Sequence, residues 1–439
     1  MGLLFMYALY SALLFLSLLL TLPYWLLQMM RHGKYRAGVG QRFGAVPQAL
    51  LRGGASPGKT PVIWVHAVSV GEVVASSAVI RALREKFPSY RVLISTTTST
   101  GQKLAAQRFG AENVFYFPLD FAFAVRAYVN ALCPELVVIA ETEFWPNFLR
   151  LTKRSGARIV VINCRISDRS LPGYKRFRYW LPRLLEGSLG NVDLFLAQSE
   201  EDRRRLIEIG AVDAKVKVVG NLKFDVAPPP SPKIVGSLRE SFKNSGAGPI
   251  LVCGSTLEDE EGSLLSAFRN ILANHSQAVM ILAPRHPERF AEVAELVEKL
   301  GFPLCQRSLW RGEPIGGGVF LLDTIGELAA LYSLATIAFV GGSLVPRGGH
   351  NILEPAIYGV PIVTGNHYEN FRDVVNCFAS RNAVRIVGVA ELPLVFMELI
   401  ENEEERATLG RNALTALESQ RGSTARTVAA LLQLMEAAE

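Results

Sequence analysis

An alternation of short apolar runs with amphipathic stretches constrains the fold of this 439-residue chain more than any other feature. Seven runs rich in β-branched and aromatic residues lie in the first half, at 61–67, 90–98, 113–118, 135–141, 157–163, 193–198 and 215–220. Apolar runs of this length are typical of parallel strands that are buried on both faces. The stretches between them have helical periodicity, so the first half predicts a β-α-β series.

A proline cluster divides the chain into two such series. Residues 226–233, VAPPPSPK, can continue neither a strand nor a helix and therefore predict a linker. The alternation then restarts and ends in helical sequence. We therefore expect an α/β protein with two doubly wound, Rossmann-like domains that face a cleft. The expected divisions are an N-terminal membrane-anchor helix at 1–30 and domains at 31–227 and 228–439.

The N-terminal segment is apolar enough to meet a membrane. Residues 3–28 carry no charge, and a helix of this length can cross the roughly 30 Å hydrocarbon layer of a bilayer. Because basic residues follow the segment instead of preceding it, we expect a retained anchor with the body on the cytoplasmic side. Pro23, Tyr24 and Trp25 leave open a helix that lies in the membrane interface.

The charge distribution and the cysteines narrow the class of protein further. The net charge of +6 equals the six Lys and Arg residues that precede the first acidic residue, Glu72, so the body is balanced. Such a distribution disfavours a general nucleic-acid binder. The five cysteines are scattered without C-x-x-C spacing, which favours free thiols in a reducing compartment over disulfides or a zinc site.

The first strand ends in a motif with a carboxylate, His66-Ala-Val-Ser69-Val-Gly71-Glu72. The positive end of the helix that follows should keep Glu72 ionised, and an ionised carboxylate can act as general base toward a sugar hydroxyl. Ser69-x-x-Glu72 also fits a capping box, in which each side chain bonds a backbone donor. The segment alone leaves both interpretations open.

Two further motifs follow strands of the first half. Glu141-Thr-Glu143 places two carboxylates at a strand terminus, where they could orient a catalytic group or, as an alternative, hold a divalent ion. Lys223, after the seventh strand, could meet negative charge on a donor sugar, although a lone lysine at a turn is more often a surface residue.

The second half carries features of a nucleotide site. Ser255 lies in a glycine turn after the first strand, and Arg285 follows the next strand, so both could meet a phosphate. A glycine-rich turn from 341 to 350 should offer backbone amides to a phosphate, with Glu354 placed to accept bonds from ribose hydroxyls. A dinucleotide site is disfavoured, because no G-x-G-x-x-G follows the first strand of either half.

Basic and aromatic residues are interleaved in residues 165–183, RISDRSLPGYKRFRYWLPR. This pattern fits either a solvated helix face or a surface that meets acidic lipid headgroups. We prefer the lipid surface, with Arg176, Arg178 and Trp180 as candidates, because the N-terminal segment already predicts membrane attachment.

Six segments in order resemble the 3-deoxy-D-manno-octulosonic acid (Kdo) transferases of lipid A assembly. They are HAVSVGE, ETEFWPN, GNLKFD, PRHPER, the turn at 323–328 and GGSLVPRGGHNILEP. The resemblance implies the glycosyltransferase-B fold and an inverting transfer from CMP-Kdo to a lipid A precursor, lipid IVA, in lipopolysaccharide biosynthesis. It also implies the cytoplasmic side of a bacterial inner membrane. Because a nucleoside monophosphate leaving group carries less negative charge than a diphosphate, helix amides and Arg285 should suffice, and we expect no metal and no cofactor.

The same resemblance implies roles for individual residues. Glu72 would be the base, and Glu141 and Lys223 would stabilise the transition state. The residues that it implies for CMP binding are Pro284, Arg285, Ile325, Gly326, Glu327, Asn351, Ile352, Leu353 and Glu354, and Ser255 is added to them from the glycine turn described above. Two alternatives remain: a transferase of the same fold that uses a UDP-sugar and a lipid acceptor, and a non-catalytic membrane-bound nucleotide sensor.

Overall fold

The structure of the chain is a computed structural model that describes residues 3–32, 37–51, 60–225 and 233–436. The described residues divide into two compact units. Unit 1 comprises Met1–Asp225 together with Arg421–Glu439, and unit 2 comprises Val226–Gln420. The expected boundary between residues 227 and 228 lies outside the described residues.

Unit 1 contains, within its described residues, one seven-stranded parallel sheet of order β3-β2-β1-β4-β5-β6-β7. Its strands are β1 (Val62–His66), β2 (Arg91–Thr96), β3 (Val114–Tyr116), β4 (Pro134–Ala140), β5 (Arg158–Cys164), β6 (Leu194–Ala197) and β7 (Val216–Val218). All seven coincide with the apolar runs of the first half, so the sequence prediction of these strands is confirmed.

Helices cover both faces of this sheet. They are α1 (Leu3–His32), α2 (Val39–Arg42), α3 (Gln48–Leu51), α4 (Val70–Lys86), α5 (Ser99–Phe109), α6 (Ala122–Leu132), α7 (Pro146–Arg154), α8 (Leu171–Trp180), α9 (Pro182–Gly190), α10 (Glu200–Glu208) and the C-terminal α19 (Ser423–Glu436). Successive residues of β1 point to opposite faces, so Trp64 lies in one apolar cluster and Ile63 in the other. Burial on both faces explains why most of these strands are apolar along most of their length.

Unit 2 repeats the plan with a second parallel sheet of seven described strands, in the order β10-β11-β9-β8-β12-β13-β14. The strands are β8 (Ile250–Thr256), β9 (Val279–Pro284), β10 (Leu304–Gln306), β11 (Gly318–Leu321), β12 (Ile337–Val340), β13 (Ile362–Gly365) and β14 (Arg385–Val387). The helices are α11 (Lys233–Ser245), α12 (Glu261–Asn274), α13 (Phe290–Lys299), α14 (Leu328–Leu331), α15 (Leu353–Ala356), α16 (Arg372–Ala379), α17 (Leu392–Glu401) and α18 (Glu403–Gln420).

Strand β10 has no counterpart among the strands expected from the sequence. It is only three residues long, lies at the edge of its sheet and is half-buried, so it lacks the long apolar run that identifies the other strands. The turn that follows it contains Arg307.

The C-terminal helix α19 belongs to unit 1, which corrects the expectation that residues 228–439 form one domain. The Asp225 carboxylate accepts a hydrogen bond from the Gly422 amide at 2.7 Å and another from the Thr424 amide. Val428 and Leu431 of the helix are buried in an apolar cluster of unit 1. The chain therefore leaves unit 1 after Asp225 and returns to it at the beginning of α19.

In both sheets the strand order reverses next to the first strand. Strand β4 is the neighbour of β1 in unit 1, and β12 is the neighbour of β8 in unit 2. Doubly wound sheets bind ligands outside the carboxyl ends of the strands at such switch points. The residues that follow these four strands are therefore the candidates for function.

Candidate active site

Glu72 lies in the first turn of α4, directly after the switch-point strand β1. The Val68 amide donates to Glu72 Oε2 at 2.8 Å, and the Ser69 hydroxyl donates to Oε1 at 3.0 Å. Both carboxylate oxygens are therefore held by donors of the same turn, and this fixes the position of the carboxylate.

The capping box that the sequence left open is not formed as such. Ser69 is the N-cap residue of α4, but its side chain accepts no capping hydrogen bond. Its hydroxyl instead donates to Glu72, whose other oxygen is bonded to the Val68 amide rather than to that of Ser69. The turn therefore orients Glu72 without the reciprocal pair that defines a capping box.

Glu141 and Glu143 follow β4, so the strand order places them beside the end of β1. Glu141 has a positive φ of 59°, a conformation that is costly for a residue with a side chain and that occurs often at functional sites. The Trp145 indole donates to Glu143 Oε2 at 2.7 Å. The Tyr174 hydroxyl of α8 donates to the Thr142 carbonyl at 3.2 Å and supports the loop between the two carboxylates.

These carboxylates act on one another electrostatically. Burial, followed by the negative charges of Glu141 and Glu143, raises the pKa of Glu72 to about 7, and the bonds from Val68 and Ser69 offset only part of the rise. Burial also raises the pKa of Glu143. The expectation that Glu72 is held ionised is therefore corrected, because burial and the neighbouring carboxylates bring its pKa close to neutrality. A carboxylate that titrates near neutrality is well suited to exchange protons.

Lys223 lies in a short turn after β7, at the edge of the sheet. Asn163, at the end of β5, accepts the Leu222 amide at 3.0 Å and so ties this turn to the strand next to β4. Asn163 also has a positive φ, of 51°. The turn that carries Lys223 is thus bonded to β5, and Glu141 follows the neighbouring strand β4.

In unit 2, Arg285, His350 and Glu354 form one electrostatic group. Burial raises the pKa of Glu354, and the Asn351 hydrogen bond and the charge of Arg285 offset only part of the rise. Burial, with the charges of Arg285 and His286, lowers the pKa of His350 to about 4. Sequence reasoning did not single out His350, and its position between two glycine turns and Asn351 was the available signal.

The other predicted nucleotide residues differ in how accessible they are. Ser255 has a positive φ of 55° at the end of β8, and Pro284 is the last residue of β9. The Asn351 amide group donates to Glu354 Oε1 at 3.4 Å. The side chains of Ile352 and Leu353 are buried in the core, so only their backbone groups can face a ligand.

The turn at 325–327 presents an exposed Ile325, a Gly326 of φ 92° and a Glu327 that is already paired. Arg307 bonds both Glu327 oxygens at 3.0 Å, and the Thr324 hydroxyl donates to Oε2 at 2.5 Å. Sequence reasoning missed this partner because Arg307 follows the unrecognised strand β10. Any ligand that contacts Glu327 contacts an ion pair, not a free carboxylate.

The glycine turn after β12 is occupied by a protein carboxylate. Glu260, fully buried, accepts the amides of Gly342 at 2.7 Å, Ser343 at 2.9 Å and Leu344 at 2.9 Å, as well as the Leu257 amide at 2.8 Å. The expectation that these particular amides bind a phosphate is therefore wrong. Glu260 takes the place of the anion and fixes the loop that leads to His350 and Glu354.

The surface expected to meet lipid contains both exposed side chains and an arginine that is already paired. Trp180 is 72% exposed and Arg176 is exposed, whereas Arg178 is paired with Glu186 at 3.0 Å and also donates to the Glu208 carbonyl. Trp180 and Arg176 are thus accessible to a lipid surface, whereas the charge of Arg178 is already paired within the protein. Among the described residues, no group of three or more His, Cys, Asp or Glu side chains could hold a metal ion.

Comparisons with known proteins identify the family. A family model described as 3-deoxy-D-manno-octulosonic-acid transferase (kdotransferase) matches residues 37–226. A 3-deoxy-D-manno-octulosonic acid transferase of Haemophilus influenzae is 32% identical over 437 residues, which cover 97% of this chain and 98% of the relative. The chain belongs to the Kdo transferase family. It is accordingly a glycosyltransferase of lipopolysaccharide biosynthesis.

Further similarities agree with this assignment and with the fold. A Kdo transferase of Bordetella pertussis is 32% identical, with 92% of this chain and 95% of the relative covered. A solved structure described as a putative UDP-N-acetylglucosamine 2-epimerase of Listeria monocytogenes has a TM-score of 0.56 at 12% identity, covering 85% of this chain and 96% of that chain. At this identity the likeness concerns the fold alone. The α/β fold with two doubly wound units, the glycosyltransferase-B fold, is thus confirmed.

Proposed function

We propose that this Kdo transferase takes Kdo from CMP-Kdo and attaches it, with inversion, to a lipid A precursor at the cytoplasmic face of a bacterial inner membrane. Glu72 is the general base that accepts the proton of the acceptor hydroxyl. As the new glycosidic bond forms, the bond from Kdo to the CMP phosphate breaks, and CMP leaves with the bonding electrons.

The acidic cluster of Glu72, Glu141 and Glu143 is the feature that supports this proposal most directly. The cluster lies at the switch point of unit 1, where an open α/β sheet binds its ligand. A general base is most effective when its pKa is close to the working pH, and the pKa of Glu72 is about 7. The residues that restrain Glu72, Val68 and Ser69, also fix its direction.

The donor is proposed to bind at the switch point of unit 2. Arg285 offers a positive charge for the single phosphate of CMP, and Glu354 can accept hydrogen bonds from ribose hydroxyls. The turn at 325–327 and the backbone of 351–353 complete the proposed CMP site. Lys223 and Glu141 are proposed to stabilise the transition state, with Lys223 facing the negative charge of Kdo.

The proposed acceptor and membrane contacts use the exposed parts of unit 1. The segment Phe5–Trp25 of α1 is long and apolar enough to cross a membrane, and about a tenth of it is buried in the structure. Arg176, Arg178 and Trp180 are proposed to meet the phosphorylated, lipid-linked acceptor beside it.

Replacing Glu141 is expected to change the pH dependence of transfer. In Glu141→Gln the loss of a neighbouring negative charge should lower the pKa of Glu72, so the rising limb of the pH–rate profile should move below its wild-type position near pH 7. The rate of Kdo transfer by the variant and by the wild type is measured between pH 5 and 9. Glu135→Gln, at the opposite end of β4, is the control and should leave the profile unchanged. An unshifted rising limb in Glu141→Gln would mean that the charge of Glu141 does not raise the pKa of the catalytic base.

Nucleotide protection tests the donor. CMP at 100 times its dissociation constant should stabilise the protein by about 2.7 kcal/mol, whereas UDP at the same concentration should have little effect. Arg285→Ala should lose most of the protection by CMP, and Lys243→Ala, which removes an exposed charge of α11, should retain it. Thermal unfolding with each nucleotide measures this. Protection by UDP but not by CMP would favour the transferase that uses a UDP-sugar.

A further inference from the structure

The first turns of α1 are packed on the body of unit 1, although residues 3–28 of the helix carry no charge. Met6 and Tyr7 are buried in a cluster with Leu184 of α9. The Arg150 guanidinium lies 4.3 Å from the centroid of the Tyr7 ring, within the range of a cation–π interaction. This end of α1 is therefore a docked element of unit 1.

A buried polar network fixes the same turns. Asp120, only 4% exposed, accepts the Asn147 amide at 3.0 Å, the Phe148 amide at 2.7 Å and the Tyr10 hydroxyl. The Asn147 side chain donates to the Ser11 hydroxyl at 3.1 Å. Separating α1 from the body would remove the Tyr10 donor from Asp120 and the Ser11 acceptor from Asn147, and losing hydrogen bonds in a buried place is costly.

The chain that follows α1 returns to the same unit. The Tyr116 amide donates to Gln41 Oε1 at 2.8 Å, and the Leu119 amide donates to the Arg42 carbonyl at 2.8 Å. The Arg42 guanidinium also donates to the Thr97 carbonyl at 2.5 Å. Unit 1 thus holds the chain on both sides of the apolar segment.

The middle of α1 presents apolar side chains to the surroundings. Its exposed large residues are Leu13, Phe15, Leu16, Leu19, Leu20, Leu22, Tyr24 and Leu27. A continuous apolar surface of this kind marks a contact with lipid or protein. The positive charges of residues 31–36 that follow in the sequence suit an anionic lipid surface.

A transmembrane orientation conflicts with these contacts. At about 1.5 Å per residue, the 21 residues Phe5–Trp25 extend about 30 Å, the thickness of the hydrocarbon layer. If they crossed it, residues 6–11 would lie within the hydrocarbon layer near its far face, whereas residue 41 would lie outside the near face. Both contact unit 1, and one folded unit cannot pack against the far half of the layer and remain on the near side.

We propose that α1 lies along one face of an anionic lipid bilayer, with both of its ends on the side that holds unit 1. The proposal rests on the membrane attachment proposed above and adds its topology. Interfacial helices of this kind bury their apolar surface to the depth of the headgroup and acyl boundary.

Exposed aromatic residues beside the docked end support this orientation. Phe177 and Leu181 pack against the cluster of Met6 and Leu184. Between them in the sequence, Tyr179 and Trp180 are 78% and 72% exposed. Aromatic rings of this kind are enriched at the membrane interface, so they and α1 can meet the same bilayer face.

Tag accessibility in spheroplasts tests the topology of the full chain. The protein carries an N-terminal tag and a different C-terminal tag, each removable by a protease that is added outside intact spheroplasts of an expressing bacterium. We expect the protein in the membrane pellet, with both tags resistant until the cells are lysed. Removal of the N-terminal tag alone from intact spheroplasts would overturn the proposal and leave membrane attachment standing. A protein found wholly in the soluble fraction would overturn both.

Cross-linking tests the docked end directly in the membrane-bound protein. In a Cys133→Ser background, Met6→Cys with Leu184→Cys should form an intramolecular disulfide cross-link on mild oxidation, because the two side chains pack in one buried cluster. Leu20→Cys with Leu184→Cys is the matched control, because Leu20 is 74% exposed and lies 14 residues further along α1. Equal cross-linking of both pairs, or of neither pair in protein whose melting temperature matches the background, would contradict docking. Kdo transfer by the same samples reports separately on the proposed function.

Discussion

Glu72→Gln is expected to transfer Kdo about 10²–10⁴-fold more slowly than the wild type, because the variant has no base to accept the acceptor proton. The amide keeps one oxygen that can accept a hydrogen bond from Val68 or Ser69, so the turn before α4 should survive. CMP should protect the variant from unfolding as well as it protects the wild type. Initial rates at saturating CMP-Kdo measure the loss.

The same variant has a defined pH signature. The rate of the wild type should rise with pH through about 7, since only the ionised Glu72 accepts a proton, and Glu72→Gln should lack this limb. The folded-state pKa lies above the unfolded value of 4.5, so the stabilisation that Glu72 contributes below pH 4.5 is lost as the pH rises through 7. Relative to Glu72→Gln, the wild type should therefore become less stable between pH 4.5 and 8.

Controls separate catalysis from folding. Glu85→Gln changes an exposed carboxylate of the same helix α4 and should affect neither the rate nor the pH profile. Near wild-type turnover in Glu72→Gln would remove Glu72 from the mechanism. A variant that unfolds, with CMP protection lost, would instead assign Glu72 to the structure of the turn.

Glu260→Ala should give the largest loss of stability, about 3 kcal/mol or more, because several backbone amides lose their only described acceptor in a buried place. Each unsatisfied buried donor costs about 1–3 kcal/mol, and entry of water into the site can lower the total. The loop from 341 to 350 should become mobile, and CMP protection should fall with it.

Hydrogen exchange measures this effect at the amides concerned. The Gly342, Ser343 and Leu344 amides should be protected in the wild type and should exchange rapidly in Glu260→Ala. Glu258→Ala, which removes an exposed carboxylate from the same turn, is the matched control and should leave them protected. Unchanged protection in Glu260→Ala would mean that the loop holds its shape without this carboxylate.

The sequence predicted the strands of unit 1 because most of them are buried on both faces and are therefore apolar along most of their length. Strand β10 was not predicted, because an edge strand of three half-buried residues lacks the apolar run that identifies the other strands. The order of strands in a doubly wound sheet then brings Glu72 and Glu141 together, since the strands they follow are neighbours at the switch point.

The parts of the site that the sequence did not reveal depend on tertiary contacts. The pKa of Glu72 is set by burial and by carboxylates about 70 positions away in the chain. Glu260 reaches amides more than 80 positions away, and nothing in its own segment distinguishes it from its acidic neighbours. The glycine turn after β12 does bind an anion, as its sequence predicts, but this anion is the carboxylate of Glu260 and not a ligand phosphate.

The most direct test of the proposed reaction is mass spectrometry of a tetraacylated lipid A precursor after incubation with the purified protein and CMP-Kdo. A mass gain of one or more Kdo units, accompanied by release of CMP and abolished in Glu72→Gln, is the predicted result. No mass gain from folded, CMP-binding protein, or a gain that persists at the wild-type rate in Glu72→Gln, would contradict the proposed reaction and its base.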